Sequence, residues 1–217
     1  MKIKDINTDV CTKGYWIGER IVQIVMDDEG EETDTSEVVL DVLKKLSKYS
    51  MSVISFAGDI NWDDVMDFSE YVHEHYKIVV NTDAKELIPA KFLCNSQTFI
   101  SITPNLNEEF DLPSFEHNLL RMIKLGYLRY ELIFKINDND DIGDVMDFLA
   151  NFVIPKHLTV ILTPDIDTNG GKKKRNKEKG LYIDKLTKLM EMTSKNTDIV
   201  LKYDVRVLPD LDIIRRL

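Results

Sequence analysis

Arg20-Ile-Val-Gln-Ile-Val-Met26 is followed by the loop Asp27-Asp-Glu-Gly-Glu-Glu-Thr33 and then by Asp34. The β-branched apolar run predicts a buried strand. Asp34 and Glu37 have the spacing of a helix capping box, which predicts that a helix begins here. Its expected apolar face consists of Val38, Val39, Leu40, Val42, Leu43 and Leu46. This stretch is therefore a strand and a helix joined by a seven-residue acidic loop.

The same alternation of strand and helix continues along the chain. Further strands are predicted at 52–56, 77–81, 99–103, 127–136, 158–163 and 199–207, and further helices at 61–72, 114–125, 141–152 and 180–194. Asn61 is the expected cap of the second helix, whose apolar stripe is Val65, Phe68, Tyr71 and Val72. Strands separated by helices indicate βαβ units and a parallel sheet. We predict one α/β domain over residues 1–217, a partial or complete (β/α) barrel of parallel strands, with an open doubly wound sheet as the alternative.

Composition limits the partners and the compartment. The net charge of −10 argues against nucleic acid or an anionic membrane as a partner of the whole surface. The two cysteines, Cys11 and Cys94, form no CxxC pair, so we expect a reduced, cytoplasmic protein without a disulfide framework. No apolar run approaches the ~20 residues of a spanning helix.

Polar residues follow the predicted strands, at the edge where α/β proteins bind ligands. They are the acidic loop 27–33, Gly58 and Asp59, residues 81–83, Thr103 and Pro104, residues 137–138 and residues 163–165. Hard carboxylate oxygens in the acidic loop would suit a divalent metal, although the spacing is not that of a calcium-binding loop. A flexible acidic loop without a metal is the simpler prediction, and we assign no metal ligands.

Two lysine-containing features have both a structural and a functional interpretation. Residues 169–179 are glycine-led and carry six cations between 172 and 179. They predict a mobile, solvated loop, or a phosphate or nucleic-acid contact on an otherwise acidic protein. Lys135 shares a strand face with Glu131, which indicates a surface ion pair, or a Schiff-base lysine if the barrel were aldolase-like.

The order and spacing of these motifs resemble the radical SAM superfamily. The stretches 1–6 and 14–25 resemble the opening of 7-carboxy-7-deazaguanine synthase, and Ala57-Gly58-Asp59 is similar to the superfamily's Gly-Gly-Glu element. Residues 77–83 resemble the third strand with its Thr-Asn-Gly end, and 131–136, 158–164 and 205–211 resemble later strands. The activating protein of anaerobic ribonucleotide reductase is a second short member with the same likeness.

The resemblance implies a [4Fe–4S] cluster held by three cysteines in the loop after the first barrel strand. That loop is 27–33 here, and it contains no cysteine. Carboxylates do not replace the soft thiolates that such clusters require, so we expect no iron–sulfur cluster. The likeness also implies S-adenosylmethionine as the candidate cofactor, with Gly58, Asp59, Asn81 and Thr103 as its candidate contacts.

The leading hypothesis is a degenerate radical-SAM-like protein that binds a partner protein or a small nucleotide-like or pterin-like ligand, or regulates a related enzyme. One alternative is an enzyme that uses the carboxylate-lined mouth and a divalent metal for hydrolysis or lyase chemistry. Another is a component of 7-deazaguanine synthesis or of anaerobic ribonucleotide reductase activation whose cysteines come from another subunit. No catalytic residue is assigned.

Overall fold

The computed structural model describes residues 1–12, 14, 16–93, 97–104, 112–127, 129–137, 139–151, 158–165 and 172–216. Cys94, Asp138 and residues 169–171 of the predicted features lie outside these ranges. The chain divides into two compact units, the first formed by 1–11, 17–102 and 111–130, the second by 12–16, 103–110 and 131–217. The single domain over 1–217 stays a prediction, and each unit is described by itself.

The first unit is an α/β layer of six strands and four helices among its described residues. Its elements are β1 (Lys2–Val10), β2 (Arg20–Met26), β3 (Glu31–Glu32), α1 (Thr35–Tyr49), β4 (Val53–Gly58), α2 (Trp62–Tyr71), β5 (Lys77–Thr82), α3 (Ala90–Leu93), β6 (Thr98–Ile102) and α4 (Leu112–Lys124). The strand order is β3-β1-β2-β4-β5-β6. Strands β2, β4, β5 and β6 are parallel, whereas β1 is antiparallel to both of its neighbours.

The parallel strands are mostly apolar, as expected for strands that helices cover. Phe56 on β4 packs edge to face on Phe68 of α2, with ring centroids 5.1 Å apart. Ile24, Ile54, Ile78 and Val80 are fully buried. Each such side chain contributes about 1.5–3 kcal/mol by leaving water, so these strands anchor the polar residues that follow them.

The second unit carries three parallel strands in the order β7-β8-β9. Its elements are β7 (Tyr130–Ile136), α5 (Asn139–Asn151), β8 (Thr159–Pro164), α6 (Lys172–Lys195), α7 (Thr197–Lys202), β9 (Asp204–Val207) and α8 (Leu211–Arg216). Phe134 of β7 packs on Phe148 of α5 with ring centroids 6.1 Å apart. The α/β class with mostly parallel strands is confirmed, and closure into a barrel stays a prediction.

Several predicted boundaries and faces are wrong. Helix α6 begins at Lys172, so residues 172–179, expected to be a loop, are helical. Position 199, expected in the last strand, lies in α7, and the strand begins only at Asp204. Leu40 on α1 is 56% exposed and Tyr71 on α2 is 63% exposed, because both lie off the faces that contact the sheet. Glu131 is 1% exposed, so it is not the surface residue that the sequence predicted beside the exposed Lys135.

Candidate functional site

The candidate site in the first unit is the edge where β2, β4 and β5 end. Parallel strands bring their carboxyl ends to one edge of the sheet, and α/β proteins bind ligands there. The residues that follow these strands are Asp27, Asp59 and Asp83. The sequence therefore places a carboxylate after each of three neighbouring strands.

The loop after β2 is a hydrogen-bonded acidic turn. The backbone N–H of Gly30 donates to the Asp27 carbonyl at 2.8 Å, and that of Glu29 donates to Asp27 Oδ1 at 3.0 Å. Lys4 Nζ lies 3.1 Å from Asp27 Oδ2. The N–H of Glu29 and then the hydrogen bond from Lys4 lower the pKa of Asp27. The ionised carboxylate of Asp27 therefore stabilises the turn by accepting hydrogen bonds from within the loop and from β1.

The amino-terminal strand closes the same loop from the other side. Glu31 and Glu32 form β3 and pair with Ile3 and Lys2 of β1, a strand that the sequence analysis did not predict. The N–H of Thr33 donates to the Met1 carbonyl at 2.8 Å. Lys2 Nζ donates to the Asp28 carbonyl at 2.9 Å. The segment 27–33 is consequently fixed by β1 rather than being the flexible acidic loop expected from its composition.

Gly58 lies where β4 meets the end of β2. It has φ +92°, and a Cβ atom at this position would lie 2.0 Å from the Met26 carbonyl oxygen. The backbone N–H of Asp59 then donates to that carbonyl at 3.1 Å, and Asp59 Oδ2 accepts from the N–H of Asp28 at 3.4 Å. Gly58 and Asp59 therefore join the strand end to the acidic loop, which is a structural role in addition to the predicted contact with a cofactor.

Asn81 directs its amide group toward the neighbouring strand. Its Nδ2 donates to Ser55 Oγ and to the Phe56 carbonyl, both at 2.9 Å. Because both acceptors lie on β4, the amide donors of Asn81 hold β5 against β4. Its predicted role in cofactor binding, like that of Gly58 and Asp59, stays a prediction.

Asn118 is a site residue that the sequence analysis missed. It lies on α4, is 3% exposed, and donates from Nδ2 to the carbonyls of Ala84 and Glu86 at 2.8 and 2.9 Å. Its Oδ1 accepts from the N–H of Ile88 at 3.2 Å. Asn118 thereby holds the segment that follows β5, together with Arg121, whose guanidinium donates to the Ile88 carbonyl at 2.9 Å. The sequence signal for this role was a single asparagine within the apolar stripe of a predicted helix. A buried amide needs hydrogen-bond partners, and these are often backbone groups.

The predicted residues at the strand ends of the second unit are partly brought together. Lys185 of α6 donates from Nζ to Asn137 Oδ1 at 3.0 Å and to the Asp165 carbonyl at 2.9 Å. The N–H of Asp165 donates to the Ile136 carbonyl at 2.8 Å. Thr103 belongs to this unit and is half-buried. Lys185 is a second residue that the sequence analysis missed.

Two properties of the described part of the chain bear on cofactors and membranes. Within it, no three His, Cys, Asp or Glu side chains are grouped so that they could hold a metal ion. Carboxylates do not supply the thiolate ligands of an iron–sulfur cluster, so the residues of the 27–33 loop do not fit that group. None of the helices in these ranges combines the length and apolarity needed to cross a bilayer.

Comparison with known proteins gives a fold likeness. No protein-family model matches the chain, and no curated protein matches its sequence. The structure is similar to the crystal structure of QueE from Escherichia coli, a radical SAM 7-carboxy-7-deazaguanine synthase, with a TM-score of 0.51 and 14% sequence identity. The match covers 76% of this chain and 84% of that one. The protein therefore shares the α/β fold of QueE over the matched part of the chain.

Proposed function

We propose that this protein is a radical-SAM-like scaffold that holds no iron–sulfur cluster and acts by binding a partner protein or a nucleotide-like small molecule. The observation that carries the proposal is the 27–33 loop. It follows the strand after which the superfamily places its cluster, yet five of its seven residues are carboxylates, none is a cysteine, and its main chain is tied to β1. Without the redox step, we propose that the scaffold binds a ligand or partner, or regulates a related enzyme.

The position of Cys11 supports this proposal. The N–H of Cys11 donates to the Glu19 carbonyl at 2.7 Å, so this residue lies beside the start of β2. The acidic loop follows the other end of that seven-residue strand. At about 3.3 Å per residue the two ends are roughly 20 Å apart, too far for Cys11 to ligate a cluster seated on the loop.

The fold likeness supports the scaffold part of the proposal, and a barrel of parallel strands is the architecture that we propose for it. Binding at the strand ends would use Asp59, whose carboxylate is exposed. S-adenosylmethionine is the ligand that the resemblance suggests. Without a cluster iron to chelate it, we propose that any such binding is weak and leaves the molecule intact.

Anaerobic reconstitution with ferrous iron and sulfide tests the proposal. We expect no cluster absorbance and, with S-adenosylmethionine and a strong reductant, no 5′-deoxyadenosine. The matched control is the Cys11→Ser/Cys94→Ser variant, which should retain as little iron as the wild type. A cluster that forms in the wild type and is absent from this variant, or reductive cleavage by the chain alone, would overturn the proposal.

A further inference from the structure

A cavity in the second unit lies at the carboxyl end of β7, between α5 and α6. Its volume is about 310 Å³, which is at the lower end of the ~300–1,000 Å³ typical of small-molecule sites. Four lining residues are apolar, two are lysines, and the others are an asparagine and an aspartate. They are Ile136, Asn137, Ile142, Leu181, Asp184, Lys185, Lys188 and Leu189. Carboxyl ends of parallel strands are where α/β proteins bind ligands.

The floor of this cavity is apolar and already ordered. Ile136 of β7, Ile142 of α5 and Leu189 of α6 are buried among other residues of the unit. Leu181, which is half-exposed, forms part of the wall. An apolar ligand body would therefore cover Leu181 and displace water at little cost in side-chain order.

The polar part of the lining is cationic and preorganised. Lys185 uses two of its three N–H donors on Asn137 Oδ1 and the Asp165 carbonyl, which fixes its ammonium group beside the cavity. Lys188 lies three residues later on the same helix, so the two side chains are on one face. The third N–H of Lys185 and the ammonium of Lys188 are the groups that an anion would meet.

The charge of the lining also limits the ligand. Two lysines and Asp184 give the lining a net charge of +1, on a chain whose net charge is −10. A single negative charge that contacts both ammonium groups is therefore matched by the charge of the lining. The second negative charge of a phosphate monoester would be opposed by Asp184, and inorganic phosphate would in addition leave the apolar floor uncovered.

We infer that this cavity binds a small organic monocarboxylate with an apolar body, such as an aromatic or branched aliphatic acid. The carboxylate contacts Lys185 and Lys188, and the apolar body lies on Ile136, Ile142 and Leu189. The inference is independent of the proposed loss of the cluster, because none of these residues belongs to the 27–33 loop.

A titration of the full chain with 4-fluorobenzoate, followed by fluorine NMR, tests the inference. We expect saturable binding that is at least about fivefold tighter than that of the neutral isostere 4-fluorobenzamide, since one charge contact contributes about 1 kcal/mol. Lys188→Gln should weaken benzoate binding by a similar factor and leave benzamide unchanged. Leu181→Gln should weaken both ligands.

The matched control is Lys195→Gln, which removes an exposed lysine from the last turn of the same helix. It should leave both affinities unchanged. Absence of saturable benzoate binding, equal affinity for the amide, or equal effects of the Lys188 and Lys195 substitutions would each overturn the inference. Circular dichroism of each variant keeps a folding defect from being read as a loss of the site.

Discussion

Gly58 shows how one residue can hold the strand end and the acidic loop together. We expect Gly58→Ala to destabilise the protein by roughly 2 kcal/mol or more, because the added methyl group meets the Met26 carbonyl oxygen at 2.0 Å and the backbone is left-handed. Urea unfolding followed by circular dichroism measures this loss.

Gly126→Ala is the matched control for that substitution. Gly126 also has a positive φ, of +69°, but a Cβ atom there meets nothing within 4 Å. Its substitution should cost only the conformational strain, about 1–2 kcal/mol. Equal losses at the two positions would show that the close approach of β4 to β2 contributes nothing.

Asp27 predicts how the loop responds to acid. Its pKa is lowered, first by the N–H of Glu29 and then by Lys4. A group whose pKa is lower in the folded state stabilises the protein above its unfolded pKa of about 3.9, and this contribution is lost as the pH falls through the folded value. Carbon NMR of the carboxyl groups should therefore show Asp27 titrating below its ordinary pKa.

The contribution of Lys4 to this pKa can be separated from that of Glu29. In Lys4→Met the pKa of Asp27 should rise part of the way, because the N–H of Glu29 still donates to Oδ1. A pKa that returns fully to its ordinary value would contradict the hydrogen-bonded turn. An unchanged pKa would show that the Lys4 contact is fully screened by solvent.

At the scale of elements, the starts of α1 and α2 are fixed by side-chain caps. Asn61 Oδ1 accepts from the N–H groups of Asp63 and Asp64 at 3.0 and 3.2 Å. We expect Asn61→Ala to lower the free energy of unfolding by about 1 kcal/mol and Asn61→Asp to restore it, because aspartate keeps the acceptor at the helix amino terminus. Urea unfolding of the two variants decides this, and equal losses in both would exclude capping as the cause.

The elements that the sequence predicted well are those with a local signal. Asp34 and Asn61 are the caps of α1 and α2, and the apolar run 20–26 is a strand, because the hydrogen bonds and the burial involved are set by neighbouring residues. Residues 172–179 form a helix although their composition is that of a solvated loop. Lysine has good helix propensity because its side chain is unbranched. The prediction of a loop considered only the high charge of this segment and not this propensity.

The candidate site was predicted less completely, because its contacts are between distant parts of the chain. The sequence placed Asp27, Gly58 and Asn81 at the strand ends, and the structure finds them there. It gave no sign that β3 would pair with β1, and the lone asparagine in the apolar stripe of α4 did not reveal that its partners would be in the segment after β5. Such pairings depend on which elements become neighbours, and periodicity does not carry that information.

At the scale of the whole molecule, charge is the dominant long-range term. Ten excess negative charges repel one another in the folded chain. Ion pairs such as Lys4–Asp27 and Arg206–Asp204 are partly or largely exposed, so solvent and salt screening leaves them little net attraction. Repulsion should therefore outweigh attraction, and added salt should stabilise the protein.

We expect the melting temperature at pH 7 to rise by a few degrees as sodium chloride increases from low ionic strength to a few tenths molar, over which the Debye length falls below about 10 Å. The Glu29→Gln/Glu31→Gln/Glu32→Gln variant should show a smaller rise, because it removes like charges from the exposed loop. Thermal unfolding at constant pH measures both. A melting temperature that falls with salt in the wild type would mean that the ion pairs outweigh the net repulsion. The excess negative charge would then not destabilise the folded protein.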